Sequence, residues 1–159
     1  MPIALRFSIA LVLSIACLSM AACDDFQEGR DAYLRGDYAT ALHEWRPLAE
    51  QGNTRAQYYL GVLYANGHGV PQDDGQARQW WEKAAAHGYE KAQYILGVLY
   101  GSGYGMPQDL VQAHKWFNLS AAKGDNVGAA TRDALAILMT PAQIDEAEKL
   151  AREWMPKGK

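Results

Sequence analysis

Cysteine is nearly missing from this chain: there are two in 159 residues, Cys17 and Cys23. A disulfide framework and a structural zinc site both need several cysteines or histidines at set spacings, so neither scaffold is available. An excess of charge is also lacking, because 15 Lys+Arg stand against 18 Asp+Glu for a net charge of −3. That balance leaves no electrostatic footprint for nucleic acid. With 49% hydrophobic residues, it also sets the chain apart from disordered compositions and implies one ordinary globular domain. Apolar runs are short. The longest, Phe7 to Met20, covers about 14 residues where a membrane-spanning helix needs roughly 20.

What the chain does have is repetition. Tyr58-Tyr59-Leu60-Gly61-Val62-Leu63-Tyr64 returns as Tyr94-Ile95-Leu96-Gly97-Val98-Leu99-Tyr100. Gly67-His68-Gly69-Val70-Pro71-Gln72-Asp73 returns as Gly103-Tyr104-Gly105-Met106-Pro107-Gln108-Asp109. A period of about 36 residues signals stacked helical units. Within a unit, Tyr58, Leu60, Gly61 and Tyr64 recur at helical spacing and form a first helix, A. Gly61 on its apolar stripe lets a neighbour come close, which offsets roughly 1 kcal/mol of helix propensity. Gly67 and Gly69 stop helix A. Asp73 then caps a second helix, B, with Gln76 at capping-box spacing, and Asp109 and Gln112 repeat the pair. Ala77, Trp80, Trp81, Ala84 and Ala85 supply the apolar face of helix B, and Gly88 marks its end.

These residues spell A-x-x-x-L-G-x-x-Y-x-x-G-x-G-V followed by D-x-x-x-A-x-x-W-x-x-x-A-A-x-x-G, filled by Ala56, Leu60, Gly61, Tyr64, Gly67, Gly69, Val70, Asp73, Ala77, Trp80, Ala84, Ala85 and Gly88. The pattern resembles the Sel1-like repeat (SLR) family, a relative of the tetratricopeptide repeat. In the second copy Met106 replaces the valine and Ser120 one alanine. The resemblance implies an all-α, right-handed solenoid of helix-turn-helix repeats that scaffolds protein complexes without catalysis or cofactor. The expected divisions are a signal peptide at 1–22, a degenerate repeat at 24–52, full repeats at 53–88 and 89–124, and capping helices at 125–159.

Arg6 followed by the apolar run and by Ala21-Ala22 has the form of a secretory signal peptide, so export to the periplasm is expected. Met20-Ala21-Ala22-Cys23 resembles the lipobox of bacterial lipoproteins, which would acylate Cys23 and tether the protein to a membrane. Ordinary cleavage nearby, with Cys23 incidental, is the alternative. Cysteine arithmetic favours the lipid: once Cys17 leaves with the signal, Cys23 has no partner in the chain.

The flanking units are atypical, as the ends of a solenoid should be. In the first, Asp37, Ala41, Trp45 and Gly52 keep the register, while Pro47 falls inside helix B and should remove a hydrogen bond. At the other end, Thr140-Pro141-Ala142-Gln143 is a capping box with proline at the first helical position. Ile144, Ala147, Ala151 and Trp154 continue an apolar face opposite a charged one.

Motifs for chemistry are sparse. Ser120-Ala121-Ala122-Lys123 spells the S-x-x-K of serine β-lactamases and penicillin-binding proteins, without the K-T-G or S-D-N that accompany it there. In register Ser120 takes the place of Ala84 and Lys123 that of His87, a packing residue and a helix-end cation. His43, His68, His87 and His114 stand at unrelated positions, without metal-ligand spacing, and read as surface or half-buried residues. No catalytic or metal-binding residue is assigned. What remains is surface. By analogy with tetratricopeptide repeats, helix A lines the concave face at Arg55, Tyr58, Val62, Lys91, Tyr94 and Val98, where two cations in one register could hold an acidic or C-terminal segment of a partner protein. A cell-envelope or β-lactam hydrolase and a peptidoglycan-binding module are the alternatives.

Overall fold

The computed structural model describes residues 26–154. The expected signal segment and Cys23 lie outside the described residues. Eight helices follow in order: α1 (26–34), α2 (Tyr38–Glu50), α3 (Thr54–Asn66), α4 (Asp74–Ala86), α5 (Glu90–Ser102), α6 (Leu110–Ala121), α7 (Asn126–Ala136) and α8 (Pro141–Trp154). Among the described residues there is no strand. From α2 to α7 each helix packs on the next, which builds an α-solenoid, and α8 closes it by lying against α6.

Helix boundaries follow from local chemistry repeated along the chain. Asp37, Asp73 and Asp109 accept the backbone N–H groups of Thr40, Gln76 and Gln112 at 3.2, 2.9 and 3.0 Å, which starts α2, α4 and α6. Among the described residues the reciprocal arm of the box is made at α8. There Gln143 N–H donates to Thr140 Oγ1 (3.3 Å) and Thr140 N–H to Gln143 Oε1 (2.9 Å). Helix α4 ends in a Schellman turn. Gly88, at φ +80°, lets its own N–H reach the Ala85 carbonyl and the Tyr89 N–H reach that of Ala84. Pro47 does not interrupt α2, which runs through it to Glu50. Its ring is exposed, as is His43, whose carbonyl loses the bond that the proline cannot make, so water can replace it there.

Inside each unit one contact sets how closely helices A and B approach. The Trp81 indole lies flat over Gly61, and its Nε1–H donates to the Tyr58 carbonyl at 3.1 Å. One unit earlier Trp45 covers Gly29 and donates to the Phe26 carbonyl at 3.2 Å. One unit later Phe117 covers Gly97, with no N–H to offer. Between units, Gln57 and Gln93 are buried and donate to the carbonyls of Ala49 and Ala85, so each helix A is bonded to the preceding helix B. Trp80, expected on the apolar face, is half-buried instead, with the Lys83 ammonium 4.0 Å from its ring centroid. At the C-terminal end α7 and α8 both lie against α6 rather than pairing as earlier units do. Ala147 and Ala151 of α8 are buried, while Glu146–Lys149 and Glu148–Arg152 pairs lie on its outer side.

Candidate protein-binding groove

The N-terminal halves of α3 and α5 and the α6–α7 turn enclose a groove of about 580 Å³ lined by Tyr58, Lys91, Tyr94, Lys123 and Val127. Of the sequence-predicted residues, Tyr58, Lys91 and Tyr94 come together here. Arg55 stands apart on the exposed side of α3, its guanidinium 4.3 Å from the centroid of the Phe26 ring. Val62 is half-buried against the central core, and Val98, further along α5, is exposed.

The groove is built on aromatic support. Tyr58 meets Tyr59 and Tyr89 edge to face at 5.3 and 5.4 Å, and Tyr94 leans on Phe117 at 5.5 Å. Burial pushes the Tyr58 phenol above its ordinary range and, with the nearby Glu90 carboxylate, takes Tyr89 up to about 12. These phenols therefore stay neutral at any physiological pH and can donate hydrogen bonds. The cations of the wall are Lys91 and Lys123, facing the acids Glu90 and Asp125. Asp125 is already committed, since it accepts from Val127 N–H at 3.0 Å and lies 2.6 Å from Ser120 Oγ. Partial burial opposes its ionisation, but the bonds from Ser120, Gly128 and Val127 outweigh burial and hold its carboxyl below the ordinary value.

Ser120 is fully buried, its hydroxyl enclosed by the Glu90 carbonyl at 3.0 Å and by Asp125. Lys123 runs alongside Gly88. The serine thus donates its one proton to the aspartate that caps α7 while its oxygen lies against the start of α5, and the lysine serves the surface. The histidines are equally dispersed. His43 pairs with Glu44 at 2.9 Å, His68 stacks on Tyr38, His87 caps α4, and His114 is buried rather than at the surface because α7 and α8 close over α6. Among the described residues no group of His, Cys, Asp and Glu gathers at metal-binding distance.

Sequence reasoning missed part of the groove. The sequence marks Lys123 as a helix-end cation, in the register of His87, but does not place it beside Lys91. Val127 occupies the register of Arg55 and Lys91, but the repeat pattern fades after Gly124. Gln57 and Gln93 were visible as a recurring Ala-Gln-Tyr, one period apart.

The Sel1 repeat profile matches residues 54–89 and 90–125. An exopolysaccharide production negative regulator of Rhizobium leguminosarum bv. viciae is 41% identical over 54 residues, 34% of this chain and 20% of that protein. A crystal structure of a protective antigen present in uropathogenic Escherichia coli strains, displaying an SLR fold, superposes with a TM-score of 0.78 at 30% identity. It covers 84% of this chain and 30% of its own. A Sel1 repeat protein from Oxalobacter formigenes gives a TM-score of 0.67 at 28% identity over 81% of this chain and 55% of its own. The chain therefore spans only part of the length of each. Sel1 repeats are typically protein–protein interaction modules. Residues 54–125 are thus two Sel1 repeats, with the aspartate caps one period apart and a glycine beneath each helix-B ring, and the chain folds as the SLR-fold proteins do.

Proposed function

We propose that the protein is a non-catalytic adaptor of the bacterial cell envelope that holds a segment of a partner protein along the helix-A groove. The observation that carries this reading is the groove itself: two lysines and two tyrosines open to solvent beside the exposed Val127, a combination suited to a segment with acidic and apolar residues. Site-specific photo-crosslinkers placed at Tyr94 and, as a control, at Lys149 on the outer side of α8 test it in intact cells. Adducts should form from Tyr94 and not from Lys149. The double change Lys91→Glu with Lys123→Glu should abolish them while leaving the thermal midpoint within about 2 °C, since exposed charges contribute little to stability. Equal adducts from both positions, or adducts that survive the charge reversal, would exclude the groove.

The envelope location rests on residues 1–23, whose pattern supports export and acylation at Cys23. Metabolic labelling with a fatty-acid probe should mark the wild-type protein and not Cys23→Ser. An unlabelled wild type would leave Cys23 without a lipid role.

A further inference from the structure

The glycine-rich turn between α5 and α6 borders an opening whose counterpart one unit earlier is filled by the protein itself. In the first unit Tyr33, Tyr38 and Leu42 pack onto the core around Trp45 and Leu63. His68 of the following turn lies flat on Tyr38, with ring centroids 3.9 Å apart and an interplanar angle of 8°. Moving one unit along, aligned on the glycine in helix A and on the indole that covers it in helix B, replaces these three residues by Ala65, Asp74 and Arg78. Two phenol rings and an isobutyl group give way to a methyl, a carboxylate and a guanidinium. Tyr104, in the place of His68, is left 59% exposed. The space between is a pocket of about 160 Å³, walled by Trp81, Leu99 and Met106 with Asp74 and Arg78 at its edge.

Size and chemistry narrow the occupant. A cavity of about 150 Å³ lined by apolar side chains accepts a benzene ring, so this pocket has room for one ring and little more. The exposed face of Tyr104 offers the stacking partner that His68 gives Tyr38. Arg78 Nε is buried without a hydrogen-bond partner, its nearest carboxylate, Glu82, lying 3.8 Å away. An N–H donor in Arg78 and an acceptor in Asp74 together match a hydroxyl, which needs one of each. We propose that this pocket receives a tyrosine side chain of a partner protein, stacked on Tyr104, its hydroxyl between Arg78 and Asp74. The incoming ring takes the place that Tyr38 fills one unit earlier. The pocket stands at the C-terminal end of α5, apart from the groove at that helix's N-terminal end, and does not depend on the groove being used.

p-Cresol, the side chain of tyrosine, is a direct probe. Titrated into the full-length, isotope-labelled chain, it should shift the Met106 and Leu99 methyl resonances and the Gly105 amide along one saturating curve, with a dissociation constant on the order of millimolar. Toluene, which lacks the hydroxyl, should bind at least several-fold more weakly, and Arg78→Met should erase that difference. Asp74→Tyr restores the first unit's residue and should abolish the shifts by filling the pocket. Tyr104→Ala, a change at an exposed position that leaves the core alone, should weaken binding several-fold. Shifts that are absent or scattered over the molecule, toluene binding as tightly as p-cresol, or p-cresol affinity unchanged in Tyr104→Ala would overturn the assignment.

Discussion

At the scale of single residues, two glycines on the A helices of successive units, α3 and α5, have opposite reasons for being there. A methyl group added at Gly61 would run into the Trp81 indole, which cannot move without losing its bond to the Tyr58 carbonyl. Overpacking of this kind costs about 1–3 kcal/mol, more than the roughly 1 kcal/mol of helix propensity that alanine regains. Gly61→Ala should therefore lower the thermal midpoint by several degrees. At Gly101, inside α5, the same methyl would meet only the Ala113 methyl at 3.5 Å, an ordinary contact. Gly101→Ala should raise the midpoint, by about 0.5–1 kcal/mol of stability. Calorimetry on the two variants checks both signs at once. The first of these glycines was legible in the sequence, because a glycine on an apolar helical stripe beside a recurring tryptophan asks for a close neighbour. That the neighbour is the indole of its own unit was not legible, since spacing along a chain says nothing of which helix lies opposite.

At the scale of elements, the joint of α6, α7 and α8 is where charge and burial conflict. His114 of α6 is buried with Nδ1 unbonded. Burial first, and then the Arg132 guanidinium of α7, hold its pKa below the ordinary value, against the opposing carboxylates of Glu148 on α8 and Asp133 on α7. A histidine depressed on folding stabilises the protein fully above its unfolded pKa, near 6.5, and that contribution is lost as pH falls through the lower folded value. The thermal midpoint should consequently drop between pH 7 and pH 5, and His114→Gln should flatten the drop. A wild-type curve parallel to that of the variant would show that another group is responsible. The sequence placed this histidine at no particular site because the unit that buries it has lost the repeat pattern. Where the pattern was intact, at Asp73, Asp109 and Gly88, caps and helix ends were predicted from residue type alone and the structure has them.

For the whole molecule, the period of about 36 residues already implied a row of stacked helix pairs, and the aspartate caps and helix-ending glycines keep that period to the end of α6. Beyond Gly124 the arithmetic fails for a physical reason. There α7 and α8 both lie against α6 instead of pairing with each other, so their residues answer to α6 and not to the register of the earlier units. Helix α8 covers α6. Trp154 meets Trp116 edge to face at 5.1 Å, and Lys115 is held with its ammonium 4.3 and 4.4 Å from the centroids of the two rings. Trp116, Leu119 and Ala151 belong to the same buried cluster as Trp81 and Leu96, so the cap is continuous with the core of the central repeats. Ending the chain after Thr140 would uncover Trp116 and Leu119, each worth about 1.5–3 kcal/mol of burial. It would also leave the Lys115 ammonium with one ring instead of two. Against a total stability of about 5–15 kcal/mol for a domain of this kind, that loss should shift the urea midpoint strongly downward and make the shortened chain self-associate through the bared face of α6. Light scattering during urea titration separates the alternatives. A truncated chain that stays monomeric with an unchanged midpoint would mean that the stack closes at α6 and that α8 is an appendage.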